Sequence, residues 1–174
     1  ERCFGHFGTL TRVPGREINV AHLQDADALI VRSITQVSDQ LIADSPVRFV
    51  GTCTIGTDHI DQAALAQRDI AFASAPGCNA EAVVDYVLSG LLTQADRDPW
   101  VLSERTVGIV GVGNVGSRLQ ARLTAMGVAT LACDPPRAEE EPEQGFHSLD
   151  ALIERCDVFC LHTPLTREGP HATY

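Results

Sequence analysis

The sequence predicts an α/β protein that contains two parallel sheets, one after the other along the chain. Short apolar runs alternate with stretches of helical spacing, which is the pattern of strand–helix–strand units. A glycine-rich turn follows the apolar run at residues 106–110 and opens one of the helical stretches. A longer helical stretch, at residues 79–98, separates the two series. We therefore predict a first domain over residues 1–99, including this linker helix, and a second over residues 100–174.

The composition is that of a folded protein without a basic surface. Of the 174 residues, 44% are hydrophobic, and 13 basic residues against 23 acidic ones give a net charge of −10. This balance argues against nucleic acid and membrane partners, because both need a basic patch. All 13 basic residues are arginines, so no lysine of this segment forms a Schiff base or binds phosphate.

The chain ends and the cysteines carry three further expectations. No apolar run reaches the length of a transmembrane helix and no signal segment stands at the start, so a cytoplasmic protein is expected. The six scattered cysteines lack the paired spacing of a metal site, so no metal is predicted. Because the chain begins with Glu1 and ends at Tyr174, soon after a strand-like run, we expect it to be a fragment.

Three buried strands and one helix are predicted in the first domain. The strands are predicted at residues 27–33, 48–54 and 70–76. The helix covers residues 58–68, with Asp58 as its N-cap. Ahead of these elements, the residues up to Gly8 resemble the end of a weak helix, and a short strand is predicted near residues 9–13. No earlier run supplies a first strand, so we expect the sheet to lack one.

Helical and strand-like patterns also predict the linker helix and the elements of the second domain. Apolar side chains of the linker helix recur at helical spacing, at Ala80, Val84, Val87 and Leu91. Strands are predicted at residues 106–110, 130–134 and 157–161. Helices are predicted at residues 114–126 and 148–156. The acidic residues 139–143 are expected to form a solvent-exposed loop.

Gly111, Gly113 and Gly116 form the dinucleotide-binding pattern G-x-G-x-x-G. The pattern is informative here because a predicted strand precedes it and an amphipathic helix follows it. The first glycine permits a tight turn, the second lets the backbone approach a pyrophosphate, and the third lets the helix pack closely on the strand. The positive end of the helix then faces the phosphates. The alternative is a glycine turn in an α/β sheet that binds nothing.

Asp134 ends the next predicted strand, 18 residues beyond Gly116. A carboxylate at this place accepts hydrogen bonds from the adenosine ribose and repels a 2′-phosphate, which favours NAD over NADP. Arg137 is close enough in sequence to leave the choice open. In the alternative interpretation, Asp134 is a turn residue that binds its own backbone.

Several motifs together resemble the D-2-hydroxyacid dehydrogenase family. The blocks GTDHID (residues 56–61), PGCNA (76–80) and TVGIVGVGNVGSRL (106–119) are typical of the family as a whole. The runs VRS (31–33), CDPPR (133–137) and HTPLT (162–166) are similar to one branch of it. Together with VPGREI (13–18), they extend the resemblance over nearly the whole chain.

The resemblance implies both a fold and an activity. The fold would be a flavodoxin-like substrate domain followed by the first half of a Rossmann NAD-binding domain. The activity would be the NAD-dependent oxidation of 4-phospho-D-erythronate at its C2 hydroxyl in pyridoxal 5′-phosphate biosynthesis. The family also implies that the complete protein is a homodimer.

Three residues of the first domain are predicted to bind the substrate. The resemblance assigns Ser33 and Thr54 to substrate contacts, and each follows a predicted parallel strand, where open α/β sheets bind ligands. Arg32 is added on chemical grounds, because a guanidinium group binds a phosphate or carboxylate with two hydrogen bonds. The alternatives are hydroxyl groups that only cap strand ends, and a surface ion pair of Arg32 with a neighbouring Asp.

The resemblance also assigns the cofactor contacts. Asp134 would bind the adenosine ribose, Thr163 the nucleotide, and Gly113, Asn114 and Val115 would line the pyrophosphate turn. Thr163 follows the last predicted strand, so its hydroxyl alternatively caps that strand end.

No catalytic residue is predicted in this segment. The catalytic Arg, Glu and His of the family are expected after Tyr174. His162 belongs to the HTP run and is expected to be structural or to support neighbouring residues, while His59 is expected near a helix start.

Two other functions stay open at this stage. One is a different D-2-hydroxyacid dehydrogenase, for phosphoglycerate, glyoxylate or hydroxypyruvate. The other is an NAD-sensing corepressor without enzymatic activity, a role that some relatives of the fold have. The VRS and CDPPR runs favour the dehydrogenase of phosphorylated erythronate.

Overall fold

The computed structural model describes residues 4–98 and 100–173. Their contacts divide the chain into two compact units, with the division after Cys78. Each unit contains one three-stranded parallel sheet whose strands alternate in sequence with helices, which confirms the predicted α/β class. Among the residues described, no helix combines the length and the apolar character that crossing a membrane requires.

The sheet of the first unit has the strand order β1-β2-β3, and its strands are parallel. The strands are β1 (Ala28–Val31), β2 (Phe49–Thr52) and β3 (Ala71–Ser74). They confirm the three predicted strands, although each is shorter than predicted. The helices are α1 (Asp39–Ile42), which the sequence pattern does not predict, and α2 (Gln62–Gln67). Aliphatic side chains of strands and helices form one core, which includes Leu29, Val50 and Leu65.

The predicted start of α2 is wrong. The helix begins at Gln62, and its N-cap is Asp61, whose carboxylate accepts a hydrogen bond from the N–H of Ala64 at 2.9 Å. Asp58 lies in the preceding turn and does not cap the helix. Both aspartates suit a cap chemically, so the sequence alone does not distinguish them.

The strand predicted near residues 9–13 is also wrong, because this segment has no regular secondary structure. Residues 9–12 are exposed, so a strand there would bury little apolar surface. The following turn is held instead by the buried Thr35, whose hydroxyl donates to the carbonyl of Gly15 at 2.9 Å. The helix end predicted before Gly8 lies partly outside the described residues, and residues 4–8 form turns.

The sheet of the second unit has the strand order β5-β4-β6 and is parallel. Its strands are β4 (Thr106–Val110), β5 (Ala129–Cys133) and β6 (Val158–Leu161), as predicted to within one residue. The helices of the unit are α3 (Ala80–Arg97), α4 (Gly116–Ala125), α5 (Pro135–Glu140) and α6 (Leu149–Arg155). The core joins β4 to α3 and α4 through side chains such as Val84, Ile109 and Leu119.

The predicted acidic loop is partly helical. Asp134 caps α5 by accepting a hydrogen bond from the N–H of Arg137, and a proline occupies the first helical position. The helix continues to Glu140, so the first half of the acidic run is in a helix and its carboxylates face solvent there. Charge pattern alone missed this helix because its start is set by Asp134 and the prolines.

The linker helix α3 packs within the second unit. Its buried side chains Val84 and Leu91 join the core of that unit. On its exposed side, Glu81 forms ion pairs with Arg118 and Arg122 of α4. The compact unit thus begins at Asn79, whereas the sequence places the domain boundary near Trp100. The division into a substrate domain and an NAD-binding domain stays a prediction.

Candidate functional site

At the glycine turn between β4 and α4, neighbouring backbone segments lie very close to two of the glycines. Gly111 has φ of +87°, and a Cβ atom there would lie 2.8 Å from the carbonyl carbon of His162. A Cβ at Gly116 would lie 2.0 Å from the carbonyl oxygen of Gly111, so α4 contacts the end of β4 without room for a side chain. A Cβ at Gly113 would meet nothing within 4 Å. The middle glycine therefore leaves open space over the turn.

Unpaired backbone donors surround this open space. In the part of the chain that the structure describes, no acceptor pairs with the N–H groups of Gly113, Asn114 and Val115. These groups stand at the start of α4, where the helix dipole is positive. Gly113 and Asn114 are exposed, and Val115 is half-buried. The turn is therefore chemically suited to an anionic group such as a pyrophosphate.

Asp134 lies directly against the glycine turn. Its Oδ2 accepts a hydrogen bond from the N–H of Val112 at 2.8 Å, and its Oδ1 accepts one from the N–H of Arg137 at 3.3 Å. The second contact is the local turn bond that the sequence left as an alternative. Each carboxylate oxygen accepts more than one hydrogen bond, so both still have lone pairs for the hydroxyls of a ribose.

Arg137 is held by three hydrogen bonds within the second unit. Its Nε and one Nη donate to the two carboxylate oxygens of Glu141 at 3.0 and 2.7 Å, and the other Nη donates to the carbonyl of Val112 at 2.6 Å. The hydrogen bond with Glu141 raises the pKa of Arg137 and lowers the pKa of Glu141. The sequence pattern predicts no role for Glu141 beyond the acidic loop. Its spacing of four residues from Arg137, one helical turn, is the signal that could have found the pair.

Thr163 lies beside the same turn. It follows β6 by two residues and is exposed, and its backbone nitrogen would lie 3.0 Å from a Cβ at Gly111. The preceding residue, His162, extends the sheet by donating its N–H to the carbonyl of Val110 at 2.8 Å. Burial lowers the pKa of the His162 imidazole. The structure therefore brings Gly111, Asp134 and Thr163 together around one turn at the carboxyl edge of the sheet.

In the first unit, Arg32 and Ser33 directly follow β1 at the carboxyl edge of its sheet. Both are exposed. No carboxylate among the described residues forms an ion pair with Arg32, so the surface ion pair that was its alternative is absent there. The N–H of Cys53 donates to the carbonyl of Val31 at 2.9 Å, which places the residues that follow β1 beside those that follow β2.

Thr54 stands in a chain of side-chain hydrogen bonds. Its hydroxyl donates to the carbonyl of Gly56 at 2.9 Å and lies 2.8 Å from the hydroxyl of Thr52. The Thr52 hydroxyl lies 2.9 Å from Nε2 of His59, and both of these residues are only 2% exposed. The sequence pattern predicts no role for Thr52 and places His59 only near a helix start. The sequence signal for Thr52 is weak, because threonine is common in buried strands.

A sequence model of one family covers most of the chain. The model is that of the D-isomer specific 2-hydroxyacid dehydrogenase, catalytic domain, and it matches residues 7–168. The chain is also 59% identical, over 170 residues, to the erythronate-4-phosphate dehydrogenases of Shigella dysenteriae serotype 1 and of Escherichia coli K12. The match covers 98% of this chain and 45% of each relative. The chain thus spans about half the length of the curated relatives it matches.

Solved structures of similar fold include two with bound nicotinamide cofactor. The D-lactate dehydrogenase of Aquifex aeolicus, complexed with NAD and lactic acid, is 25% identical with a TM-score of 0.68 over 86% of this chain and 52% of its own. The 3-phosphoglycerate dehydrogenase of Entamoeba histolytica, with bound NAD+, is 28% identical with a TM-score of 0.72 over 89% of this chain and 52% of its own.

Proposed function

The chain belongs to the family of D-isomer specific 2-hydroxyacid dehydrogenases, and from this premise we propose that it is part of an NAD-dependent dehydrogenase of 4-phospho-D-erythronate. The resemblance that the motifs predicted is therefore confirmed at the family level. The observation that carries the proposed substrate is the 59% identity, over 98% of this chain, to proteins named erythronate-4-phosphate dehydrogenase. The phosphoglycerate and lactate dehydrogenases of similar fold are at most 28% identical.

In the proposed reaction, the C2 hydroxyl of the phosphorylated acid becomes a carbonyl. The hydrogen on C2 leaves as a hydride, and the hydroxyl proton passes to a base. When bound, NAD supplies the nicotinamide ring that accepts the hydride. The product is 2-oxo-3-hydroxy-4-phosphobutanoate. The residues of this chain would supply binding, because the catalytic Arg, Glu and His of the family are expected elsewhere in the protein.

We propose that the second unit binds the adenosine half of NAD. The open space over Gly113 and the unpaired N–H groups of Asn114 and Val115 would receive the pyrophosphate. Asp134 would accept hydrogen bonds from the ribose, and the exposed hydroxyl of Thr163 would contact the nucleotide. Because Arg137 is already bound to Glu141, a 2′-phosphate would find a carboxylate but no free guanidinium group. This arrangement supports NAD rather than NADP.

The first unit would bind the phosphorylated acid. Arg32, Ser33 and Thr54 follow two adjacent strands at the carboxyl edge of the sheet. Arg32 would donate two hydrogen bonds to the carboxylate or the phosphate.

The family also implies a homodimer for the complete protein, which size-exclusion chromatography with light scattering would test.

A substrate panel tests the proposed function. The complete protein is assayed with NAD for the absorbance of NADH, in the presence of 4-phospho-D-erythronate, 3-phospho-D-glycerate, D-lactate or glycolate. We expect kcat/KM for 4-phospho-D-erythronate to exceed the others by about 100-fold or more, because a site built to bind polar groups discriminates strongly against acids that lack them. A higher value for phosphoglycerate would identify another dehydrogenase of the family. Tight NAD binding without turnover of any acid would favour a sensing protein.

A further inference from the structure

We infer that the buried His59 fixes the direction of the hydrogen bonds through Thr52, so that Thr54 accepts a hydrogen bond from a hydroxyl group of the substrate. The inference rests on the proposed function of Thr54 as a substrate contact. It extends that function by naming a positioning residue and the substrate group that Thr54 recognises.

The direction follows from the number of hydrogens available. The Gly56 carbonyl only accepts, so it uses the single hydrogen of the Thr54 hydroxyl, at 2.9 Å. In the 2.8 Å contact between the two threonines, Thr52 must then be the donor. Its hydrogen is thereby used, so in the 2.9 Å contact with His59 the hydrogen belongs to Nε2 of the imidazole.

The other ring nitrogen of His59 supports the same direction. Nδ1 is buried and has no hydrogen-bond partner within the described part of the chain. With the hydrogen on Nε2, the unpaired group at Nδ1 is a lone pair. The reverse direction would require the hydrogen on Nδ1 and leave a buried N–H without an acceptor, and it would also take the hydrogen away from the Gly56 carbonyl. A buried N–H group without an acceptor is rarer in proteins, and costs more free energy, than a buried lone pair without a donor.

The backbone holds His59 in place for this role. The carbonyl of His59 accepts a hydrogen bond from the N–H of Val37 at 2.8 Å, and the carbonyl of Val37 accepts one from Asp61 at 2.9 Å. Val37 and Ile60 form an isolated parallel bridge, and Val37 is 1% exposed. The imidazole is therefore fixed between this bridge and the end of β2, where Thr52 is the last residue.

Thr54 consequently has one lone pair left and no hydrogen to donate. A phosphate or carboxylate oxygen needs a donor, so it must bind elsewhere, as at Arg32. A hydroxyl group of the substrate satisfies the remaining lone pair. In 4-phospho-D-erythronate the C2 hydroxyl gives its proton to the base during the reaction, so the C3 hydroxyl is the group that donates to Thr54.

The direction of the chain is tested by nitrogen NMR. The two ring nitrogens of His59 are observed in the 15N-labelled protein and identified by their loss in His59→Gln. We expect the hydrogen on Nε2 and a bare Nδ1. A bare Nε2 with the hydrogen on Nδ1 would overturn the inference. This result is independent of turnover, and it decides the direction even if a Thr54 variant does not fold.

The recognition of the hydroxyl is tested by kinetics of the complete enzyme. The measured quantity is the ratio of kcat/KM for 4-phospho-D-erythronate to that for its 3-deoxy analogue. We expect Thr54→Val, which removes the accepting oxygen, to lower this ratio about fivefold, as for one neutral hydrogen bond, while the matched control Thr54→Ser keeps the ratio and both keep the KM for NAD. An unchanged ratio in Thr54→Val would contradict the inference. No turnover by the unaltered enzyme would instead contradict the proposed function.

Discussion

At the scale of single residues, we propose that the choice between NAD and NADP depends on Arg137, whose charge is paired with that of Glu141. Arg137 lies beside Asp134, to which its backbone N–H donates the N-capping hydrogen bond, and a free guanidinium group there would attract a 2′-phosphate. In the structure, however, Glu141 binds the guanidinium group of Arg137 through both carboxylate oxygens. The proposed nucleotide site would therefore have two carboxylates and one paired arginine, which is a poor environment for the 2′-phosphate of NADP.

Removing the charge of Glu141 should relax this selectivity. In Glu141→Gln, Arg137 loses its charged partner, and we expect the affinity for 2′,5′-ADP relative to 5′-AMP to rise about threefold to tenfold. Calorimetry measures both dissociation constants. Glu143→Gln is the matched control, because it removes one negative charge nearby from an exposed residue without a described ion pair. Equal shifts in the two variants would mean that general charge, and not the pairing of Arg137, sets the selectivity.

At the scale of elements, two of the three glycines where β4 passes into α4 have different roles. Gly116 stands where a Cβ would lie 2.0 Å from backbone oxygen, and Gly113 stands where a Cβ would meet nothing. Gly116 is therefore required by the fold, whereas Gly113 leaves room for a ligand.

Alanine at each position should separate these roles. Gly116→Ala should destabilise the protein by about 1 to 3 kcal/mol or more, because the clash with Gly111 outweighs the better helix propensity of alanine. Gly113→Ala should fold with an unchanged Tm and bind NAD more weakly. Circular dichroism and NAD titration measure the two effects. A normal Tm for Gly116→Ala would show that α4 shifts to accommodate the methyl group.

The sequence predicts the elements whose signals are local. β4 has the predicted bounds because an apolar β-branched run ends at a glycine turn, and α3 follows a strong amphipathic pattern. The strand near residues 9–13 was predicted wrongly, because strand propensity does not reveal that the segment lies exposed. Motif context predicts Asp134 and Thr163 as site residues, and the structure brings both beside the glycine turn. The link from His59 through Thr52 could not be predicted, because the direction of a buried hydroxyl depends on groups that only folding brings together.

At the scale of the whole molecule, two separate sheets present polar side chains at their carboxyl edges. The first unit presents Arg32, Ser33 and Thr54, which carry a cation and hydroxyls. The second presents a glycine turn with unpaired N–H groups beside Asp134. We propose that the first edge binds the phosphorylated acid and that the second binds NAD.

Steady-state kinetics of Ser33→Ala in the complete enzyme tests this division of binding between the two units. Initial rates are measured while both 4-phospho-D-erythronate and NAD are varied. Ser38→Ala is the control, because Ser38 is an exposed serine of the same unit whose hydroxyl makes no capping bond. We predict that Ser33→Ala raises the KM for the acid about fivefold to tenfold, as for one lost hydrogen bond, and leaves the KM for NAD unchanged. A raised KM for NAD with an unchanged KM for the acid would contradict the division of binding between the two units.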